Sequence, residues 1–200
     1  RYGSEALRRR YLPRFASGEL RGGLGLTEPN AGTDLQAIRT RAVRDGDHYV
    51  VSGQKIWIST AQVATKVLLL ARTTPIEEAE ASGGRTRGLS LFYTDLDRRF
   101  VEVREIEKMG RKAIDTNQVF IDGLKVPLED RIGEEGKGFH YLLHGLNPER
   151  ILIAAEAIGI GKAALARATQ YAKERVVFGR PIGKNQAIQH PLAESWMQLE

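Results

Sequence analysis

Apolar and polar positions follow two periods along this chain, and the change between them divides it. In residues 4–16, Ala6, Leu7 and Tyr11 fall at helical spacing. Ser4 stands where an N-cap belongs, Glu5 lies in the first turn and Pro13 near the end, so a short helix is predicted. Ser17-Gly18-Glu19 reads as a turn. From Leu20 to about Pro127 the pattern is that of short strands. Arg41–Arg44 and His48–Val51 flank Asp45-Gly46-Asp47, a hairpin signal. Ser52-Gly53 reads as a further turn. In Gln54–Ser59, Ile56 and Ile58 alternate with Lys55, Trp57 and Ser59. Lys66–Ala71 is continuously apolar and predicts a strand buried on both faces. Thr73–Thr86 is polar and reads as an exposed loop. Strands are also predicted at 88–93, 100–104 and 117–122, the last ending in a turn at Gly123. This spacing argues for a β-barrel or sandwich.

After Pro127 the period becomes helical. Gly133-Glu134-Glu135-Gly136-Lys137-Gly138 reads as a hinge-like link. Phe139, Leu142, Leu143 and Leu146 follow helical spacing, and Ile151 to about Lys173 is rich in Ala, Ile and Leu. Gly159 and Gly161 would permit close helix packing. Asn147-Pro148 leaves two readings open: a new helix capped by Asn147, or one long helix disturbed at Pro148. Phe178-Gly179-Arg180-Pro181 is a stop, and another helix is predicted from about Asn185 past Met197. There is no internal repeat.

Composition narrows the class only a little. Hydrophobic residues make up 42% of the 200, an ordinary value for a folded chain. With no cysteine, a disulfide framework, a Cys-based zinc site and a thiol nucleophile are excluded. No apolar run approaches the roughly 20 residues that span a bilayer. The first residue is not Met and the last lie inside a helical pattern, so the sequence reads as part of a longer chain. Net charge is +5. An acidic partner is one reading of that charge, but the only dense cluster, Arg8-Arg9-Arg10, sits on a helix face beside Glu5 and reads as solvated surface.

The most chemically dense stretch is Leu26-Thr27-Glu28-Pro29-Asn30-Ala31-Gly32-Thr33-Asp34, led in by Gly22, Gly23 and Gly25. Such residues make a tight loop that turns N–H groups and hydroxyls toward a ligand. Glu28 and Asp34 read as acids that shape the loop.

This stretch resembles the L-T-E-P-x-A-G-S-D signature of the acyl-CoA dehydrogenases. Gly53–Ser59 resembles their G-x-K-x-[WF]-I-[TS] strand, and Arg175-Val176-Val177-Phe178-Gly179 with Gln186 resembles R-x-x-F-G-x(6)-Q. Lys108-Met109-Gly110, Val126-Pro127 and the glycines of 133–138 also fit. The resemblance covers nearly the whole chain. It implies an α+β multidomain fold: the last helix of a helical N-terminal domain (1–19), a middle β-barrel that binds flavin (20–130), and the first part of a C-terminal four-helix bundle (131–200).

The implied chemistry is FAD-dependent dehydrogenation of an acyl-CoA thioester to a trans-2-enoyl-CoA, with an electron-transfer flavoprotein as acceptor. By resemblance Leu26, Thr27 and Thr33 line the flavin, Thr33 also meeting the CoA pantetheine. Thr33 stands where Ser is commoner and keeps the hydroxyl. Trp57, Ile58 and Ser59 would pack on the flavin from the strand, although a tryptophan is more often core. Arg175, Phe178, Gly179 and Gln186 would hold the FAD diphosphate and adenosine of a neighbouring subunit, implying a homodimer or homotetramer. A cation at a helix C-terminus is the plainer reading of Arg175.

The base stays open. Glu149, just before Arg150, occupies the position used by a minority of the family, and a glutamate beyond residue 200 is the common choice. Asn147 and Arg150 would border the substrate, with Arg150 supporting the geometry. No residue is assigned to a metal. Same-fold alternatives are an acyl-CoA oxidase, a nitroalkane oxidase-like enzyme or a flavin monooxygenase relative. A non-catalytic basic module, nucleic-acid binding included, is the third reading, and no nucleic-acid partner is favoured. The implied location is bacterial cytoplasm or mitochondrial matrix.

Overall fold

Ser4 accepts a hydrogen bond from the Leu7 N–H at 3.2 Å and starts helix α1, Glu5–Ala16. Leu7 and Tyr11 turn inward against Leu20 and Tyr93, while Arg8 and Arg9 reach back to Glu5 on the solvent side. The computed structural model describes residues 1–200, which form two compact units, 1–143 and 144–200.

The first unit is built on one sheet. Its strands are β1 (Gly22–Gly25), β2 (Arg41–Asp45), β3 (His48–Ser59), β4 (Lys66–Arg72), β5 (Leu89–Asp95), β6 (Val101–Glu105), β7 (Thr116–Pro127) and β8 (Arg131–Ile132). The order is β6-β7-β3-β2-β4-β5-β8, with β1 added in parallel to β4. The predicted hairpin is present: Asp45 faces His48 across Gly46, whose φ is 58°. Between Lys66 and Arg72, β4 is apolar because both its faces are covered: Val67, Leu69 and Ala71 enter the sheet core, and Leu68 packs against Leu7, Tyr11, Leu20 and Tyr93. Tyr49, Val51, Leu69, Phe92, Val101 and Val126 meet in one core, so the sheet curls round them.

The expected barrel is not closed. β6 pairs only with β7 and β8 only with β5. β8 is two residues long and ends at Gly133, whose φ is 69°, so it offers β6 no edge to complete the ring. Two predicted turns are bulges inside long strands. Val51 faces Leu124 and Gly53 faces Ile121, so β7 carries an extra residue there, taken up at Gly123 with φ 68°. Gly53 has φ 156°, and a Cβ on it would lie 2.4 Å from Thr40 Oγ1 and 2.7 Å from Thr40 Cα. Gly53→Ala is therefore expected to destabilise the unit by about 1–3 kcal/mol, measured by urea unfolding.

The segment 73–86 is not a simple loop, since Ile76–Ala81 forms α2 with Ala79 fully buried. The link 133–138 is stapled to the sheet rather than free. Gly136 N–H donates to Ser90 Oγ at 2.8 Å, and Glu135 accepts from Tyr49 Oη at 2.7 Å and from Arg131 at 2.9 Å.

Helix α3, Gly138–Glu174, begins in the first unit and runs on through the second. It continues across Pro148, which settles the open reading in favour of one helix. The second unit also holds a two-stranded hairpin, β9 (Val176–Val177) with β10 (Arg180–Pro181), and α4, Gln186–Leu199. Gly161 meets Leu199, where a Cβ would approach a methyl group to 2.6 Å, whereas Gly159 has nothing near it. Of the expected bundle's first part, α3 and α4 are the two helices present, and Ile151, Leu152, Ile160 and Met197 on them are exposed. No helix is long and apolar enough to cross a membrane.

Candidate active site

The loop from Leu26 to Asp34 is shaped by its two acids, as its sequence suggested. Glu28 and Ala31 exchange backbone hydrogen bonds of 2.9 and 3.1 Å around Pro29-Asn30. The Glu28 carboxylate turns inward and accepts from Arg39 N–H at 2.7 Å, Thr40 N–H at 2.9 Å and Lys55 Nζ at 2.9 Å. Asp34 caps the short 3₁₀ turn Leu35–Ala37 by accepting from Gln36 N–H at 3.1 Å, and pairs with Arg85 at 3.2 Å.

Lys55 is the feature that the alternation in 54–59 concealed. Its side chain is 1% exposed, and its ammonium also donates to the Leu26 carbonyl at 2.9 Å. Burial pulls its pKa down to about 8, against the pull of Glu28. Burial pushes the Glu28 carboxyl up, but Lys55 and the Thr40 and Arg39 hydrogen bonds outweigh it and hold that pKa below the usual range. At neutral pH both groups are charged. The available signal was a lysine in a strand and an acid in a Pro-containing loop; nothing in strand periodicity said that they meet.

Lys55 points inward because β3 bulges. Lys55 faces Val119 and Ile58 faces Asn117, so three steps on β3 answer two on β7. The extra residue puts Lys55 and Ile58 on the core side, where Ile56 and Ile58 were expected, and leaves Trp57 outward. Trp57 holds φ 66°, a region that non-glycine residues seldom occupy, and its side chain is exposed. Ile56 N–H donates to the Thr27 carbonyl at 2.9 Å, which ties the loop to the strand next to Trp57.

Of the predicted cofactor residues in this unit, Thr27 is half-buried and Thr33, Trp57 and Ser59 are exposed. The side chains of Leu26 and Ile58 are buried, and the Ile58 carbonyl accepts from Asn117 at 2.9 Å. The site thus offers an aromatic face, hydroxyls and the Thr27 N–H, which no protein group accepts from. That set suits a flat ring with polar edges, and an isoalloxazine fits it.

In the second unit, Asn147, Glu149 and Arg150 lie on α3, with Arg150 donating to Asn147 Oδ1 at 2.7 Å. Glu149 is exposed and borders a groove with Leu146, Ile153, Ala154 and Ala157. Arg175 follows α3 directly, and its carbonyl accepts from Ile182 N–H at 2.8 Å. Its guanidinium has no carboxylate partner. Phe178 and Gly179, at φ 52° and 73°, form the hairpin turn, with Phe178 wholly exposed. Gln186 opens α4 and is exposed.

Residues 23–124 match the family described as "Acyl-CoA dehydrogenase, middle domain", and residues 136–200 match "Acyl-CoA dehydrogenase, C-terminal domain". The chain belongs to the acyl-CoA dehydrogenase family of oxidoreductases. It is 38% identical over 201 residues to glutaryl-CoA dehydrogenase of Desulfococcus multivorans, covering all of this chain and 50% of that protein. A solved acyl-CoA dehydrogenase of Geobacillus kaustophilus superposes with a TM-score of 0.87 at 37% identity, covering 99% of this chain and 51% of the other. A solved prolyl acyl carrier protein oxidase, AnaB, matches with a TM-score of 0.85 at 29% identity over 99% of this chain and 51% of its own. The chain spans about half the length of the curated relatives it matches.

Proposed function

We propose that this chain is the flavin-binding middle and part of the helical C-terminal region of an FAD-dependent acyl-CoA dehydrogenase. The observation that carries the reading is Trp57. A bulge holds it at φ 66°, and it faces outward beside a loop with an unused N–H and hydroxyls. Strain of this kind, about 1–3 kcal/mol, persists where the surroundings impose it, and it clusters at ligand sites.

When bound, FAD would take up the hydride from the substrate β carbon. Thr27 would offer its N–H and hydroxyl to negative charge on the bound group, with its carbonyl held by Ile56 N–H at 2.9 Å. Trp57 offers a packing face, and Thr33 and Ser59 offer hydroxyls. Glu149 takes the α proton of the thioester, and Asn147 and Arg150 border the substrate. Arg175 and Gln186, with Phe178 and Gly179 shaping the turn, hold the diphosphate and adenosine of a neighbouring subunit's FAD. That sharing makes a homodimer or homotetramer the working form, with an electron-transfer flavoprotein as acceptor. Cytoplasm or mitochondrial matrix is the fitting compartment.

The unpaired Arg175 guanidinium supports the phosphate role. Arg175→Gln in the intact enzyme is expected to weaken FAD binding about 10- to 100-fold, the equivalent of one charge-assisted contact of about 1.5–3 kcal/mol. Titration of apoenzyme with FAD checks this, and unchanged affinity counts against it. The AnaB likeness favours a second reading, with dioxygen as acceptor. Rapid oxygen consumption during substrate turnover would select it.

A further inference from the structure

Lys55 contributes to no reaction step above, yet it is the most deeply buried charge beside the proposed flavin loop. Its ammonium donates to the Leu26 carbonyl at 2.9 Å. That carbonyl and the Thr27 N–H belong to one peptide group. In a planar trans peptide the C=O and N–H point in opposite directions. The Leu26 carbonyl is drawn inward to a buried ammonium, so the Thr27 N–H points outward, away from the core. The Thr27 carbonyl is fixed independently by Ile56 N–H at 2.9 Å, so the residue is held on both sides.

We infer that Lys55 is a positioning residue that tunes the flavin: by charging the back of the Leu26–Thr27 peptide, it strengthens the Thr27 N–H as a donor to the anionic, reduced cofactor. The inference rests on the flavin reading above. A cation bonded to a carbonyl polarises the whole amide, and hydrogen bonds in series reinforce one another in a low-dielectric site. Glu28, 2.9 Å from the ammonium, offsets only part of this charge, because its carboxylate is shared with the Arg39 and Thr40 N–H groups at 2.7 and 2.9 Å. Glu28 is the titratable group facing Lys55. The other elements around it present Gly23, Gly25, Leu69, Val119 and Ile121, none of which titrates.

The test is the midpoint potential of bound FAD in the intact holoenzyme, wild type against Lys55→Met/Glu28→Gln, which removes both charges together. The expected result is retained FAD with about a tenfold smaller reduced-to-oxidised ratio at a given potential, near 30 mV lower for a two-electron couple. An unchanged potential with FAD bound overturns the inference. Failure of the wild type to bind FAD overturns instead the flavin reading beneath it. A measurement on the wild type alone covers the case in which the double variant does not fold. Burial pulls the Lys55 pKa down to about 8, and an anion across the peptide must raise that value. The potential should therefore fall more steeply with pH above about 8 than below it. A slope unchanged through that range also overturns the inference.

Discussion

Glu149→Gln in the intact enzyme is expected to abolish reduction of the bound flavin by acyl-CoA while leaving FAD in place. The expected loss is at least the factor of about 10² to 10⁴ that a positioned general base supplies. The reasons lie on α3. The helix runs through Pro148 unbroken, so Asn147, Glu149 and Arg150 share one rigid element. Arg150 is engaged by Asn147 at 2.7 Å, and no cation holds the Glu149 carboxylate. Leu146, Ile153, Ala154 and Ala157 flank it with apolar surface, and Arg150 lines the same groove. A free carboxylate in such a groove is placed to be desolvated by an acyl chain, which favours its role as a base. Anaerobic rapid mixing reads the flavin directly. Reduction at the wild-type rate would remove Glu149 from the mechanism and leave the base to a glutamate outside this sequence.

The second large effect concerns the pair beneath the loop. Lys55→Met alone leaves the Glu28 carboxylate buried without its cation, at an expected cost of about 3–5 kcal/mol. Lys55→Met/Glu28→Gln is expected to recover part of that loss: no ion is stranded, while the glutamine keeps one acceptor oxygen for the two N–H groups of Arg39 and Thr40 that the carboxylate serves. Urea unfolding of the two variants and wild type checks both statements. If the double variant is as unstable as the single one, the loss comes from packing and not from the stranded charge.

Much of this architecture is legible in local chemistry. The Ser4 cap, the Asp45-Gly46 hairpin and the apolar run of β4 each need only a few neighbouring residues to be recognised. Features that depend on register are different. Lys55 was readable as an inward residue only once the bulge at Lys55/Ile58 was known, since one extra residue exchanges the faces of a strand. Gly123 carries the same positive φ in a bulge as in a turn, so its identity could not separate the two. The six-residue α2 is too short for a helical period to show against the polar run around it. Sheet closure depends on whether β6 meets β8, and alternation along a strand says nothing of that. For the site, the signature loop and the roles of Glu28 and Asp34 were legible from residue type. The Lys55 contact to Leu26 joins positions 29 apart in sequence and became visible only in three dimensions.

The most direct test of the whole account is to purify the intact enzyme with its flavin and mix it anaerobically with a panel of saturated acyl-CoA thioesters, glutaryl-CoA included. The account predicts that at least one thioester bleaches the oxidised flavin stoichiometrically and yields the 2-enoyl-CoA. A protein that holds no FAD, or that holds FAD left oxidised by every thioester, would contradict it.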